Sequence, residues 1–284
     1  MKNYLVFDIG GTFTKFAFFR GNKILEDGRE STPRNLIDLL ERICKEILLK
    51  YNLRRFDGIA ISVPGSLDYR RLELVYANNL KKARKIKFGS LGRFSKKIVL
   101  ENDASCAALG VLKFEDKEFK NLICFTLGTG LGTGIIINGN LYKGSGNASE
   151  FAHTIVDVKN GKCSCGNVGC LENSVSVRGL LKIARKNKLN VDCFGLSKLA
   201  KQRNRMALKT YKEFGKNVAV ALINAANTFD PNLIVLTGGL CNSADFFMPV
   251  AREIAKNRYY PGINPRVQIY KKNLSIIGAR GLLG

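Results

Sequence analysis

No stretch of this 284-residue sequence approaches the roughly 18 consecutive apolar residues that a membrane-spanning helix requires. The first residues, Met1 to Phe19, also lack a basic stretch followed by an apolar core, because Asp8, a Gly pair and several Thr and Lys positions interrupt them. A cytoplasmic protein without a membrane partner is therefore expected. Acidic residues are scarce as well, 23 against 46 Lys and Arg, which leaves a net charge of +23. A basic domain can hold phosphates without sequence preference. Here, however, the basic residues lie in short runs at 81–87, 96–97, 182–188 and 198–205, with no interleaved aromatics to stack on bases. No helix-turn-helix pattern precedes the first strand. The charge thus reads as solvated surface, not as a nucleic-acid site, and it suits attraction of an anionic nucleotide.

Histidine is scarcer still: His153 stands alone. Of eight cysteines, five (Cys44, Cys106, Cys124, Cys193 and Cys241) are isolated in apolar surroundings and read as buried thiols of a reducing compartment. The other three, Cys163, Cys165 and Cys170, follow the lone histidine at close spacing. One imidazole and three thiolates complete a tetrahedral zinc shell with every position filled by protein, so a structural Zn²⁺ is expected in preference to a disulfide or idle thiols. Gly161, Gly166 and Gly169 supply the turns of a compact knuckle. Glu150 and Glu172 flank it, either as surface acids or, drawn together by the metal, as acceptors for sugar hydroxyls. His153 can bind metal through one ring nitrogen and donate through the other.

The chain also lacks any low-complexity linker, yet its length allows two modest domains, and at 45% hydrophobic residues it can fill their cores. Two similar openings support that division. Tyr4–Asp8, Ile9-Gly-Gly-Thr12 and the run Phe13 to Phe19 form the first. Leu122–Thr126, Leu127-Gly-Thr-Gly-Leu-Gly-Thr-Gly134 and residues 135–138 form the second, about 120 residues later. Each reads as a strand, a tight glycine turn and a returning strand, followed by a Gly/Asn turn. Helical spacing over 35–51, with Ser31 or Thr32 as caps, strands at 57–63 and 97–101, and a helix at 104–114 complete the first half. A long helix at 206–228, a buried strand at 233–237, a helix at 245–257 and a strand at 266–270 follow. This alternation predicts an α/β protein with domains 1–117 and 118–284, the boundary falling near 116–120 and the C-terminal helix packing back on the first domain.

Glycine turns let backbone N–H groups surround phosphate oxygens. Each turn alone is equally a hairpin without a ligand. Together, with Asp8 placed to hold Mg²⁺ and Thr12 and Lys15 to reach phosphate, they point to a nucleotide clamped between domains, with Gly238-Gly239 offering a third approach beside the adenosine. Glu101-Asn102-Asp103-Ala104 lies at a strand-to-helix junction. Asp103 there is either a helix N-cap or a general base that removes a proton from a hydroxyl attacking the γ-phosphorus, with Asn102 holding the same sugar.

In order along the chain, Asp8-Ile-Gly-Gly-Thr12, Val63-Pro-Gly-Ser66, Glu101-Asn-Asp-Ala104, the 127–134 glycine turn, Glu150-Phe-Ala-His153, Cys163-Ser-Cys-Gly-Asn-Val-Gly-Cys-Leu-Glu172 and Leu236-Thr-Gly-Gly239 resemble the ROK family of repressors and kinases. The resemblance implies a two-domain actin-like ATPase (ribonuclease H-like) fold with an interdomain cleft, and a commonly dimeric sugar kinase using ATP and Mg²⁺. It implies Asp103 as base and sugar contacts at Gly65, Asn102, Asp103, Glu150, His153 and Glu172. Nucleotide contacts are implied at Asp8, Gly10, Gly11, Thr12, Lys15, Gly128, Thr129, Gly130, Gly132, Gly238 and Gly239, and zinc on His153, Cys163, Cys165 and Cys170. The family's repressors carry an N-terminal DNA-binding domain; here the first phosphate turn begins at Asp8, which favours the kinase over a sugar sensor or regulator. Glucose or a close relative phosphorylated at the 6-hydroxyl is the expected reaction, with N-acetylmannosamine or N-acetylglucosamine as alternatives. One departure stands out: where the family pattern has Gly-Glu-x-Gly-His, this chain has Ser149 and Ala152 in place of the glycines.

Overall fold

The computed structural model describes residues 1–77, 80, 83–114 and 119–284. The chain divides into two compact units. The first gathers Met1–Asp116, Lys143–Ala148 and Asn273–Gly284, and the second gathers Lys117–Tyr142 and Ser149–Lys272. Residues 115–118, which take in 116–118 of the expected boundary at 116–120, and residues 81 and 82 of the first basic run lie outside the described residues.

In the first unit β1 (Asn3–Ile9), β2 (Phe13–Arg20) and β3 (Lys23–Ser31) form an antiparallel meander. Helix α1 (Leu36–Lys50) then crosses to β4 (Gly58–Val63), which pairs parallel with β1. Every residue of β4 is buried, as expected of an uninterrupted apolar run in the middle of a sheet covered on both faces. The α1 stripe of Leu36, Leu39, Leu40, Ile43 and Ile47 packs into the same core as Phe7, Phe18 and Phe56. Its N-cap is Asn35, not Ser31 or Thr32: Ser31 ends β3, and Thr32 Oγ1 instead donates to the Gly10 carbonyl at 2.7 Å. A small sheet of β5 (Ser66–Asp68), β6 (Glu73–Ala77) and β7 (Ala83–Lys87) precedes β8 (Ile98–Asn102), which completes the main sheet in the order β3-β2-β1-β4-β8 and leads into α2 (Asp103–Phe114).

The second unit repeats this topology. Strands β9 (Leu122–Leu127), β10 (Leu131–Ile137) and β11 (Asn140–Leu141) form the meander. After an inserted stretch containing α3 (Val177–Lys186) and α4 (Cys193–Lys201), α5 (Arg205–Phe229) crosses to β12 (Leu233–Thr237), and α6 (Ala244–Lys256) to β13 (Arg266–Tyr270). The sheet order is β11-β10-β9-β12-β13. Asn204 caps α5, its Oδ1 accepting from the amides of Met206 and Ala207 at 3.0 Å each. Phe214 of α5 meets Phe247 of α6 edge-on at 5.2 Å, inside the core. The returning strand after the second glycine turn begins at Leu131, earlier than the expected 135, so Gly132 lies within β10 opposite Thr126 and not in the turn.

The final helix, α7 (Leu274–Gly281), belongs to the first unit and packs along α2. The approach is close enough that a methyl group at Gly278 would overlap the Cys106 carbonyl, and one at Gly110 would overlap the Leu274 carbonyl. Of the isolated cysteines, Cys44, Cys106, Cys124 and Cys241 are buried, while Cys193 at the start of α4 is half-buried. Burial pushes the Cys44 and Cys241 thiols up to about 12, which keeps them protonated and inert.

Candidate active site and metal centre

Strand pairing assembles a polar row at one end of the first sheet. β2 sets Lys15 opposite Asp8, β4 sets Ser62 beside Asp8, and β8 sets Glu101 beside Ser62. Asp8 Oδ1 accepts from Ser62 Oγ at 3.0 Å, and Oδ2 accepts from Asn273 Nδ2 at 3.1 Å. Each carboxylate oxygen keeps a further lone pair, so the group suits a cation bound directly or through water. In the adjacent turn, the Gly10 amide is spent on the Phe13 carbonyl at 2.9 Å. Gly11 and Thr12 remain to meet a ligand, Thr12 being exposed and Gly11 lining a cavity of about 450 Å³ with Thr32, Arg34 and Leu36.

Asp103 opens α2 immediately after β8. The capping task belongs to its neighbour: Asn102 Oδ1 accepts from the amides of Ala104 at 2.9 Å and Ser105 at 3.2 Å. Asp103 Oδ1 lies 2.9 Å from the amide of Ala104, and Ser275 Oγ donates to the Asp103 carbonyl at 3.2 Å. The Asn102 side-chain oxygen is thus committed to the helix, while its Nδ2 faces the Gly65 carbonyl at 3.5 Å. Gly65 takes φ of +104°, and a side chain there would overlap the Tyr76 carbonyl, so its identity is required by the backbone.

Just before this pair, Glu101 is only 1% exposed. It is held by Lys143 Nζ at 2.5 Å, Tyr69 OH at 2.8 Å and the Asn102 amide at 3.0 Å. The Lys143 ammonium also lies 4.3 Å from the Tyr69 ring centroid. Burial, then the neighbouring Glu101 charge, raises the Tyr69 phenol, so it stays a donor. A buried carboxylate is tolerable only with such partners, and these partners fix the end of β8 on which Asp103 depends.

In the second unit, the turn Gly128–Gly130 closes with the Gly128 amide on the Gly130 carbonyl at 3.0 Å, and the Gly128 carbonyl accepts from Val177 at the start of α3 at 2.9 Å. Thr129 lies at the middle of this turn. Gly238 follows β12 with φ of +97° beside Leu127, and Gly239 begins a 3₁₀ turn, Gly239–Ser243.

The inserted stretch after β11 gathers the knuckle. The ligand atoms of His153, Cys163, Cys165 and Cys170 all lie within 4.8 Å of one another. Cys165 and Cys170 sulfurs are 3.6 Å apart, and Cys163 Sγ is 3.7 Å from His153 Nδ1. A tetrahedral site with Zn–S bonds near 2.3 Å has sulfur–sulfur edges of about 3.8 Å, so the set fits such an ion. Burial raises the Cys163 and Cys170 thiols, and a cation offsets that cost when they ionise. His153 Nε2 faces Glu150 Oε2 at 3.7 Å, which leaves Nδ1 on the side of Cys163 Sγ. Glu150 opens the 3₁₀ turn Glu150–His153. Desolvation raises its carboxyl, against the pull of His153 and with a further push from Glu172.

Of the two readings of Glu172, the surface acid is excluded by its burial. Its Oε2 accepts from the Leu131 amide at 3.1 Å, and its Oε1 accepts from Ser164 Oγ at 3.1 Å and faces Cys163 Sγ at 3.6 Å. These contacts tie the knuckle to the first residue of β10. Sequence reasoning also missed Asn273, Ser275, Lys143, Tyr69 and Ser62. Asn273-Leu-Ser275 carries a helix-cap signal, but nothing in it announces that the cap reaches Asp8.

Comparison with known proteins extends this geometry. The ROK family pattern matches residues 4–283. A xylose repressor of Caldicellulosiruptor bescii is 30% identical over 263 residues, covering 86% of this chain and 65% of the repressor. A glucokinase of Streptomyces coelicolor is 30% identical over 283 residues, covering 91% of this chain and 88% of the enzyme. The chain spans 55% to 65% of the length of the xylose repressors it matches. Among solved structures, a ROK family glucokinase from Streptomyces griseus in complex with glucose and AMPPNP superposes with a TM-score of 0.82 at 26% identity, over 99% of this chain and 98% of that one. The fold is that of the actin-like ATPases.

Proposed function

The chain belongs to the ROK family, and on that premise we propose that it is a cytoplasmic sugar kinase, transferring the γ-phosphoryl group of ATP to the 6-hydroxyl of glucose or a close relative. The observation that carries this reading is Asp103. It stands at the head of α2, directly after β8, where Asn102 Oδ1 accepts from the amides of Ala104 and Ser105 and Asp103 Oδ1 accepts from the Ala104 amide, so the strand end and the first helical turn fix where its carboxylate lies. In the proposed reaction Asp103 accepts the proton of the attacking hydroxyl, while Ser275 on its carbonyl and the Glu101 network beneath it hold the strand end still. Gly65, Asn102, Glu150, His153 and Glu172 line the sugar, Asn102 and Glu172 also tying the site to α2 and to β10. Asp8 would hold Mg²⁺, which neutralises phosphate charge when bound. Gly11, Thr12 and Lys15, with Gly128, Thr129 and Gly130, receive the phosphates, and Gly238 and Gly239 the adenosine. His153, Cys163, Cys165 and Cys170 hold a structural Zn²⁺.

A coupled ADP-release assay over a panel of hexoses and N-acetylhexosamines tests the reaction. Stimulation by glucose is expected; stimulation by N-acetylmannosamine or N-acetylglucosamine alone moves the assignment to those sugars, and no stimulation by any sugar ends it. The xylose repressors among the relatives support a second reading, a regulator that binds a sugar without phosphorylating it. Sugar binding by calorimetry with no turnover would select that reading. Metal analysis of protein purified without added metal should return about one zinc per chain, and Cys165→Ala should lose it.

A further inference from the structure

We propose that the second unit carries an additional anion site, suited to a small phosphorylated metabolite, in the cavity between α3 and α5. The cavity measures about 570 Å³, which is ligand-sized and larger than a lone ion needs. Lys182, Ile183 and Lys186 line it from one face of α3, at helical spacing, and Lys216 and Asn217 line it from α5. Three lysines therefore border one space. The single carboxylate in the wall, Glu213, pairs with Lys209 at 3.9 Å, and among the described residues no acid lies within ion-pair distance of Lys182, Lys186 or Lys216. Lys182 Nζ donates to Asn160 Oδ1 at 3.0 Å and retains two further protons.

The surrounding field has the same sign. From Val177 to Lys216 the sequence holds twelve Lys and Arg against two acids. Gathering like charges around a concave surface is unfavourable until an anion enters, and concave walls focus the field that attracts one. Two features extend the fit from a bare anion to an ester that also bears hydroxyls. Amides and a hydroxyl (Asn160, Asn217, Ser174) share the wall with the lysines. Asn173 is 7% exposed, and its Oδ1 has no hydrogen-bond partner, so the wall is short of one donor. No lining residue belongs to the sugar, nucleotide or metal sets, and the site does not rest on the kinase reading. Asn173 and Ser174 do follow Glu172 directly in the chain, so occupancy would be felt at the contact between the knuckle and β10.

The phosphate group is common to two sources, a hexose phosphate and free inorganic phosphate. Isothermal titration of the full chain with glucose 6-phosphate and with inorganic phosphate, at fixed ionic strength, separates them. The double variant Lys186→Gln/Lys216→Gln should weaken binding at this site at least tenfold. Tighter binding of glucose 6-phosphate than of phosphate identifies a hydroxyl-bearing ester, and equal affinity identifies phosphate itself. Both lysines are exposed, and an unchanged thermal midpoint in the variant confirms an intact fold. Absence of binding by both ligands, or binding unaltered by the double substitution, overturns the proposal.

Discussion

The two units share one sheet topology and differ sharply in the row of residues at the end of that sheet. In the first unit the row reads Lys15, Asp8, Ser62, Glu101; at matching register positions the second reads Gly132, Thr126, Thr237, Tyr270. The residues that follow are Asn102-Asp103 in one and Lys271-Lys272 in the other. Topology therefore does not fix chemistry. A charged row demands partners, and the first unit supplies them from four separate segments: Ser62, Tyr69, Lys143 and Asn273. A neutral row demands no counter-charge, and two of its hydroxyls are met nearby in the chain or sheet, Thr237 by the Lys272 carbonyl and Tyr270 by Gln268. Its own carboxylates, Glu150 and Glu172, come from the stretch inserted between β11 and α5, for which α1 in the first unit has no counterpart.

If chemistry resides in the charged row, the largest effect should come from its end. Asp103→Asn keeps the shape and the acceptor for the Ala104 amide but removes the base. Turnover should fall by about 10²- to 10⁴-fold, while sugar affinity measured by calorimetry stays within roughly tenfold. Wild-type turnover in this variant would show that the two rows do not differ in the way proposed.

The next test concerns stability. Lys143→Met strips the buried Glu101 of its counter-charge, and denaturant unfolding should report a loss of about 3 kcal/mol, the low end for an orphaned buried charge because the lysine itself is 44% exposed. Tyr270→Phe, at the matching position of the neutral row, removes only a hydroxyl bonded to Gln268 at 2.9 Å. It should cost about 1 kcal/mol or less. Equal losses at the two positions would erase the distinction between a charged and a neutral row.

Much of this was legible in the sequence, and what was not has a physical reason. Both strand–turn–strand openings, α1, α2, α5 and the parallel strands carry local periodicity, and the knuckle ligands lie within 18 residues of one another. Lys143 and Asn273 do not signal themselves, because their roles depend on the chain returning from 42 and 265 residues away to meet Glu101 and Asp8. Gly132 was misplaced because a Gly-rich run is equally consistent with a turn and with a strand that lacks side chains. Glu172 could be read as a surface acid because spacing reveals proximity to the Cys/His cluster but not burial.

The smallest effect lies where the chain departs from the family pattern. Ser149 stands where that pattern has glycine, and the structure gives it φ of +79° and ψ of +13°, the left-handed region. A side chain in that region costs roughly 1–2 kcal/mol. The Ser149 hydroxyl is also buried without a hydrogen-bond partner, a further cost. Glycine would relieve both while adding the backbone entropy that any glycine loses on folding, roughly 0.5–1 kcal/mol. Ser149→Gly should therefore raise stability by about 1 kcal/mol, a rise of about 2–4 °C in Tm for a chain of this size. A fall in Tm would mean that the hydroxyl has a task at the head of the Glu150–His153 turn, and that the inserted stretch, like the charged row, holds its acids with polar partners of its own.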